Sequence, residues 1–89
     1  MHAMVVKVSI SDVEGAQKAL KENVVPRVSQ APGFVAGYWT RSEDGSNGQS
    51  MVVFESKEAA RAMAERVRGD VPEGVTVESV DVREVVASA

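Results

Sequence analysis

Tyr38 and Trp39 stand side by side in the stretch PGFVAGYW, Pro32 to Trp39, and they are the only tyrosine and the only tryptophan in the chain. Adjacent large rings either stack a planar ligand or fill a core. Other chemistry has little to work with. Nucleophilic catalysis needs a hydroxyl or thiol beside a base, but the chain has no cysteine, a single histidine at His2 and no G-x-S-x-G. A metal centre needs converging His, Cys or carboxylate ligands. Asp12 and Glu14 instead read as a helix start, and Asp81 and Glu84 as a strand surface, so no metal site is expected. The run GSNG, Gly45 to Gly48, has the glycines of a phosphate loop but no helix to follow it.

The elements that must hold these residues are short. Met4–Val8 is rich in valine and reads as a strand. Ser11-Asp12-Val13-Glu14 matches a capping box with Ser11 as the N-cap. Behind it Val13, Ala16, Leu20, Val24 and Val28 recur at steps of three and four, which is one apolar helix face running to about Gln30. Pro26 lies inside that helix and predicts a kink there, because proline removes a backbone donor and crowds the preceding turn. Pro32-Gly33 stops the helix, and Phe34 to Arg41 is strand-like in composition.

The turn formers of Ser42–Gly48 predict a hairpin connection to a returning strand, Gln49–Glu55. Ser56 then caps a helix over Lys57–Arg68, with Ala60, Met63, Ala64 and Val67 on its apolar side and Arg61 spaced to pair with Glu65. Asp70–Gly74 reads as a turn into a last strand, Val75–Val86. The valines change phase between Val77 and Val80, which predicts a bulge or a strand that passes between sheets. The order β-α-β-β-α-β defines an α+β, ferredoxin-like fold: a four-stranded antiparallel sheet with both helices on one face.

With 89 residues the chain is expected to form one domain, 1–89, and without cysteine it has no disulfide to support so small a core. Association remains as a source of stability. The middle strands point the same way. Counted two by two, Phe34, Ala36 and Tyr38 share one face of the sheet while Val35, Gly37 and Trp39 share the other. Helices cover one face only, so the second apolar face is expected to meet a second copy, giving a homodimer through sheet faces. The net charge of −3 and the mixed signs around Arg61, Glu65 and Arg66 argue against a nucleic-acid partner. The longest wholly apolar run, Met51–Phe54, is far too short for a membrane span, and no signal-peptide pattern is visible, so a cytoplasmic location is expected.

The element order, PGFVAGYW after the proline-bearing ENVVPRVSQA, and VVFESKEAARAM across the third strand into the second helix resemble the dimeric α+β barrel superfamily. Within it they resemble the antibiotic biosynthesis monooxygenase-like proteins. The resemblance implies a homodimer whose sheets form a barrel, with a pocket in each subunit between sheet and helices. Members include cofactor-free oxygenases of polycyclic aromatic substrates and haem-degrading enzymes. The haem ligand of the latter, a histidine on the second helix, has no counterpart here, since that helix carries only Met63 as a soft ligand. No resident cofactor is therefore expected.

Cofactor-free oxygenation asks for an apolar pocket with a few polar groups that steady a substrate anion. The candidate pocket residues are Asn23, Arg27, Tyr38, Trp39, Arg41 and Ser50, with no catalytic residue singled out. Arg41 is suited to hold an anion, and Asn23 or Tyr38 to donate a hydrogen bond. If the second strand is regular, only one of Tyr38 and Trp39 reaches a pocket on the helix side. The expected function is binding of a small apolar or aromatic ligand between sheet and helices. The alternatives are a cofactor-free monooxygenase of aromatic polyketide-like substrates and a non-catalytic homodimeric interaction module.

Overall fold

The computed structural model describes residues 1–72 and 74–89, so Glu73 of the turn expected at Asp70–Gly74 lies outside the described residues. Four strands, β1 (His2–Ile10), β2 (Phe34–Arg41), β3 (Asn47–Phe54) and β4 (Val75–Glu84), form one sheet in the order β2-β3-β1-β4. Every neighbouring pair is antiparallel. With the helices between strands this is the ferredoxin-like β-α-β-β-α-β arrangement expected from the sequence. β1 starts earlier than its valine run suggested. His2 pairs with Phe54 and Glu84, and Ala3 and Met4 are buried, so the first residues belong to the sheet.

The first helical rod has three segments: α1 (Val13–Ala19), a π-helical turn (Leu20–Val24) and α2 (Val25–Ser29). Pro26 is the physical cause at hand. In a regular α-helix its ring would press on the carbonyl of Glu22 and its missing N–H would break a bond. A wider turn just ahead of it lets the Val25 N–H reach Leu20 O instead, and the rod continues. The N-cap is Asp12, not Ser11: the Asp12 carboxylate accepts from the Gly15 N–H at 3.1 Å. Ser11 is drawn off by the chain before β4, where its N–H donates to Gly74 O at 2.8 Å and its hydroxyl to the same oxygen at 3.2 Å.

Gly33, at φ +80°, ends the rod in a conformation that glycine adopts freely, and its carbonyl accepts from the Glu55 N–H at 2.8 Å. The second rod, α3 (Lys57–Gly69), is capped as expected by Ser56, which accepts from the Ala59 N–H at 3.1 Å. Glu65 pairs with Arg68 at 3.3 Å in place of Arg61, an i,i+3 contact that also lets Arg68 donate to Val80 O.

Packing is uneven across the helix side. The core gathers Met4, Val6, Val28, Val52, Phe54 and Met63 beneath α2 and α3. No residue of α1 or of the π-helical turn is buried. Two bulges set which side chains reach this face. One lies at Glu78, between the Val80 and Val77 partners of Val6 and Val8, and it keeps both valines on the helix side as the phase shift predicted. The other lies at Val35, between Phe34 opposite Phe54 and Ala36 opposite Val53. It corrects the face assignment from simple alternation. Phe34 joins Gly37 and Trp39 on the helix side, meeting Phe54 edge-on at 6.3 Å, while Ala36 and Tyr38 lie on the open side. No helix among the described residues is long and apolar enough to cross a membrane.

Candidate functional site

Because α1 and the π-helical turn stand off the sheet, the space beneath them is a cavity of about 650 Å³. That is within the range of small-molecule sites. The sheet contributes a floor of small and medium groups, Val6, Val8, Gly48 and Ser50 among them, and the first rod a roof that includes Ala16, Leu20 and Val24. Residues short enough to leave space on both sides explain why apolar positions such as Leu20 and Val24 are only half-buried: they face the cavity instead of a packed neighbour.

Trp39 is the one large ring in the cavity wall. It sits opposite Ser50 of β3, and Ser50 in turn opposite Val6 of β1, so the three form one row across the floor. Two residues along β2, Arg41 lies opposite Gly48 and also lines the cavity. Its guanidinium donates to Gln17 Oε1 of α1 at 3.3 Å, which ties the end of β2 to the roof. Gln17 and Lys21, one turn apart on the rod, line the same cavity. The wall is thus mostly apolar, and Arg41, Ser42 and Glu43, where β2 passes into the hairpin, are among the polar residues that line it.

The six candidates from the sequence divide evenly. Trp39, Arg41 and Ser50 line the cavity. Tyr38, Asn23 and Arg27 are not part of its lining. Tyr38 is on the opposite face of β2 and is 71% exposed. Asn23 is exposed on the π-helical turn, where the added residue changes which positions face inward. Arg27 is exposed and pairs with Asp70 at the end of α3. Gln17 and Lys21 were missed; both border the apolar stripe Val13, Ala16, Leu20, Val24, the one sequence signal that could have marked them as rim residues. Met63, the soft ligand of the second helix, is buried in the core and does not line the cavity. Among the described residues, no group of three or more His, Cys, Asp or Glu side chains is placed to hold a metal ion.

The arrangement can stack or cover an apolar body on Trp39, offer a hydroxyl from Ser50 and place a cation at one end. The lone histidine, His2, is not in the cavity lining; it lies on β1 opposite Phe54 of β3.

No family model and no curated protein matches the chain. Solved structures do. The chain is similar to HapK from Hahella chejuensis, with a TM-score of 0.72 and 15% identity over 100% of this chain and 96% of HapK. It is similar to SnoaB from Streptomyces nogalater, described as a cofactor-independent oxygenase, with a TM-score of 0.71 and 14% identity over 98% of this chain and 94% of SnoaB. A dimeric ferredoxin-like protein from an uncultured marine organism gives a TM-score of 0.61 and 12% identity, over 100% and 98% of the two chains. At such identities the likeness concerns the fold, and the fold is the one that the resemblance to antibiotic biosynthesis monooxygenase-like proteins implied.

Proposed function

We propose that this protein binds a small apolar or aromatic ligand between its sheet and its first helical rod, as a homodimer joined through the open sheet faces. The cavity beneath α1 carries this reading: about 650 Å³, walled by aliphatic groups and one indole, in a chain small enough to have filled it. Apolar surface lining a cavity that opens to solvent is hydrated at a free-energy cost. A ligand that covers it removes that surface from water and raises the stability of the folded state as its occupancy rises.

Trp39, the only tryptophan, is a built-in reporter. The test is titration of its fluorescence, together with thermal shift, against polycyclic aromatic compounds, fatty acids and haem. A saturable emission change with a raised melting temperature supports the reading. No change with any class overturns it.

Dimerisation is supported by the open face. Tyr38 and Met51, opposite each other on β2 and β3, are 71% and 48% exposed, and Val35 at the bulge of β2 is 46% exposed, apolar groups that water does not favour. The dimeric description of one structural neighbour agrees with it.

A second reading, oxygenation of an aromatic substrate without a cofactor, is favoured by one observation: the similarity in fold to SnoaB extends over nearly the whole of both chains. In that reaction Arg41 steadies a substrate anion and the apolar wall keeps water from it. Oxygen uptake with anthrone-type substrates, measured with the native protein and Arg41→Gln, separates it from binding alone. Uptake at the uncatalysed rate sets it aside.

A further inference from the structure

We infer that the ligand is an amphipathic organic acid, seated with its acid group against Arg41 and Gln17 at the hairpin end and its apolar body along Trp39 and Leu20. The inference rests on the ligand-binding reading above and adds the ligand's charge and its direction.

Three observations support it. First, the cavity joins an apolar body to a polar corner. Val6, Leu20, Val24 and Trp39 are in its lining, and Arg41, at the end of β2 where the hairpin begins, lines it together with the Gln17 amide it donates to. Second, Arg41 makes no ion pair: among the described residues the pairs are Arg27–Asp70, Arg68–Glu65 and Arg83–Asp81. Its polar contact is a neutral amide oxygen at 3.3 Å, which leaves guanidinium donors free. A guanidinium offers a planar fork matched to a carboxylate, and such charge-assisted bonds are about twice as strong as neutral ones. Third, among the described residues the carboxylates in the lining do not cancel this charge. Asp70 is taken by Arg27, which leaves Glu43 with the two cations Arg41 and Lys21. Gln17 fits the role of a switchable neighbour. With no ligand its oxygen accepts from Arg41, and with its amide turned its N–H₂ donates to the same carboxylate.

The test is a matched pair of probes, naphthalene-2-carboxylate and naphthalene-2-carboxamide, titrated by calorimetry and Trp39 fluorescence at low salt. The expected result is that the acid binds about tenfold more tightly than the amide. In Arg41→Gln that ratio falls toward one, whereas in Arg66→Gln, on the exposed side of α3, it stays. A ratio of one in the native protein overturns the acid preference and leaves the ligand reading in place. A ratio that survives Arg41→Gln overturns the assignment to Arg41. Binding of neither probe overturns this inference, and the broader screen of neutral compounds then decides the ligand reading separately.

Discussion

The indole of Trp39 lies across Gly37, two residues back on the same strand. A Cβ on Gly37 would come within 2.9 Å of the ring's Cη2 and 3.0 Å of its Cζ3. Glycine is what allows the largest side chain of the chain to lie flat along the floor instead of standing up into the cavity. The ring is a rigid plate on two torsions, so it has no flexible end that can yield.

Gly37→Ala therefore tilts Trp39 into the cavity. Overpacking of this kind costs about 1 to 3 kcal/mol. The expected outcome is a lower urea midpoint, a shifted tryptophan emission maximum and weaker binding of aromatic ligands. A variant with native emission and native affinity would mean that the ring does not depend on this glycine.

Tyr38 and Met51 sit opposite each other on the open face of β2 and β3, and both are exposed. If two sheets meet there, a charge at either position is buried against its own copy across the two-fold axis. Light scattering is expected to give twice 9.5 kDa for the native protein and 9.5 kDa for Met51→Glu. A native protein that scatters as a monomer at micromolar concentration removes the dimer.

Capping of the first rod separates two neighbouring residues. Asp12 accepts from the Gly15 N–H, while Ser11 is bound to Gly74 O. Losing an N-cap costs about 1 kcal/mol. Asp12→Ala is expected to lower unfolding free energy by about that much and Ser11→Ala by less. Chemical denaturation of the two variants side by side checks it, and equal losses would return Ser11 to a capping role.

Asp44 organises the hairpin beside the cavity. It accepts from the Ser46 N–H at 3.0 Å and from the hydroxyls of Ser46 and Ser42 at 2.7 and 2.8 Å. These bonds, the Ser46 N–H foremost, favour the ionised form and lower its pKa from 3.8 to about 2. A lowered folded-state pKa contributes stability that is fully present above 3.8 and is lost as pH falls toward 2. The carboxyl carbon of Asp44, followed by NMR, is expected to titrate with a midpoint near 2, with the Ser46 amide moving alongside. A midpoint near 3.8 would mean that the hairpin bonds are not kept in solution.

Much of this molecule was legible in its residues, and the failures share one cause. β2 begins and ends at the residues its composition suggested, and the phase break at Val77 and Val80 marked a real bulge because an apolar pattern was interrupted. The bulge at Val35 left no such mark. Both faces of β2 carry apolar groups there, so alternation stayed plausible with Phe34 on the wrong side. The cavity follows the same logic. Trp39, Arg41 and Ser50 lie on strands, where counting by two carries a residue reliably to one face. Asn23 lies on the first rod, where a π-helical turn inserts a residue and counting by 3.6 loses phase.

That turn also sets how α1 is rotated over the cavity. Pro26 obliges the rod to widen, and the widened segment, Leu20–Val24, roofs the cavity. An alanine in its place restores an N–H and removes the ring, so the turn can tighten to α-helix. Taking one residue out of the wide turn rotates α1 by about 100° relative to α2. Gln17 and Leu20 then swing away from the sheet, and Gln17 parts from Arg41. Pro26→Ala is therefore expected to keep or raise the far-UV helix signal while weakening ligand binding several-fold by Trp39 fluorescence. Native affinity in this variant would locate the cause of the π-helical turn elsewhere: in the pull of Val13 and Leu20 toward the sheet, which would hold α1 in its rotation whether or not proline follows.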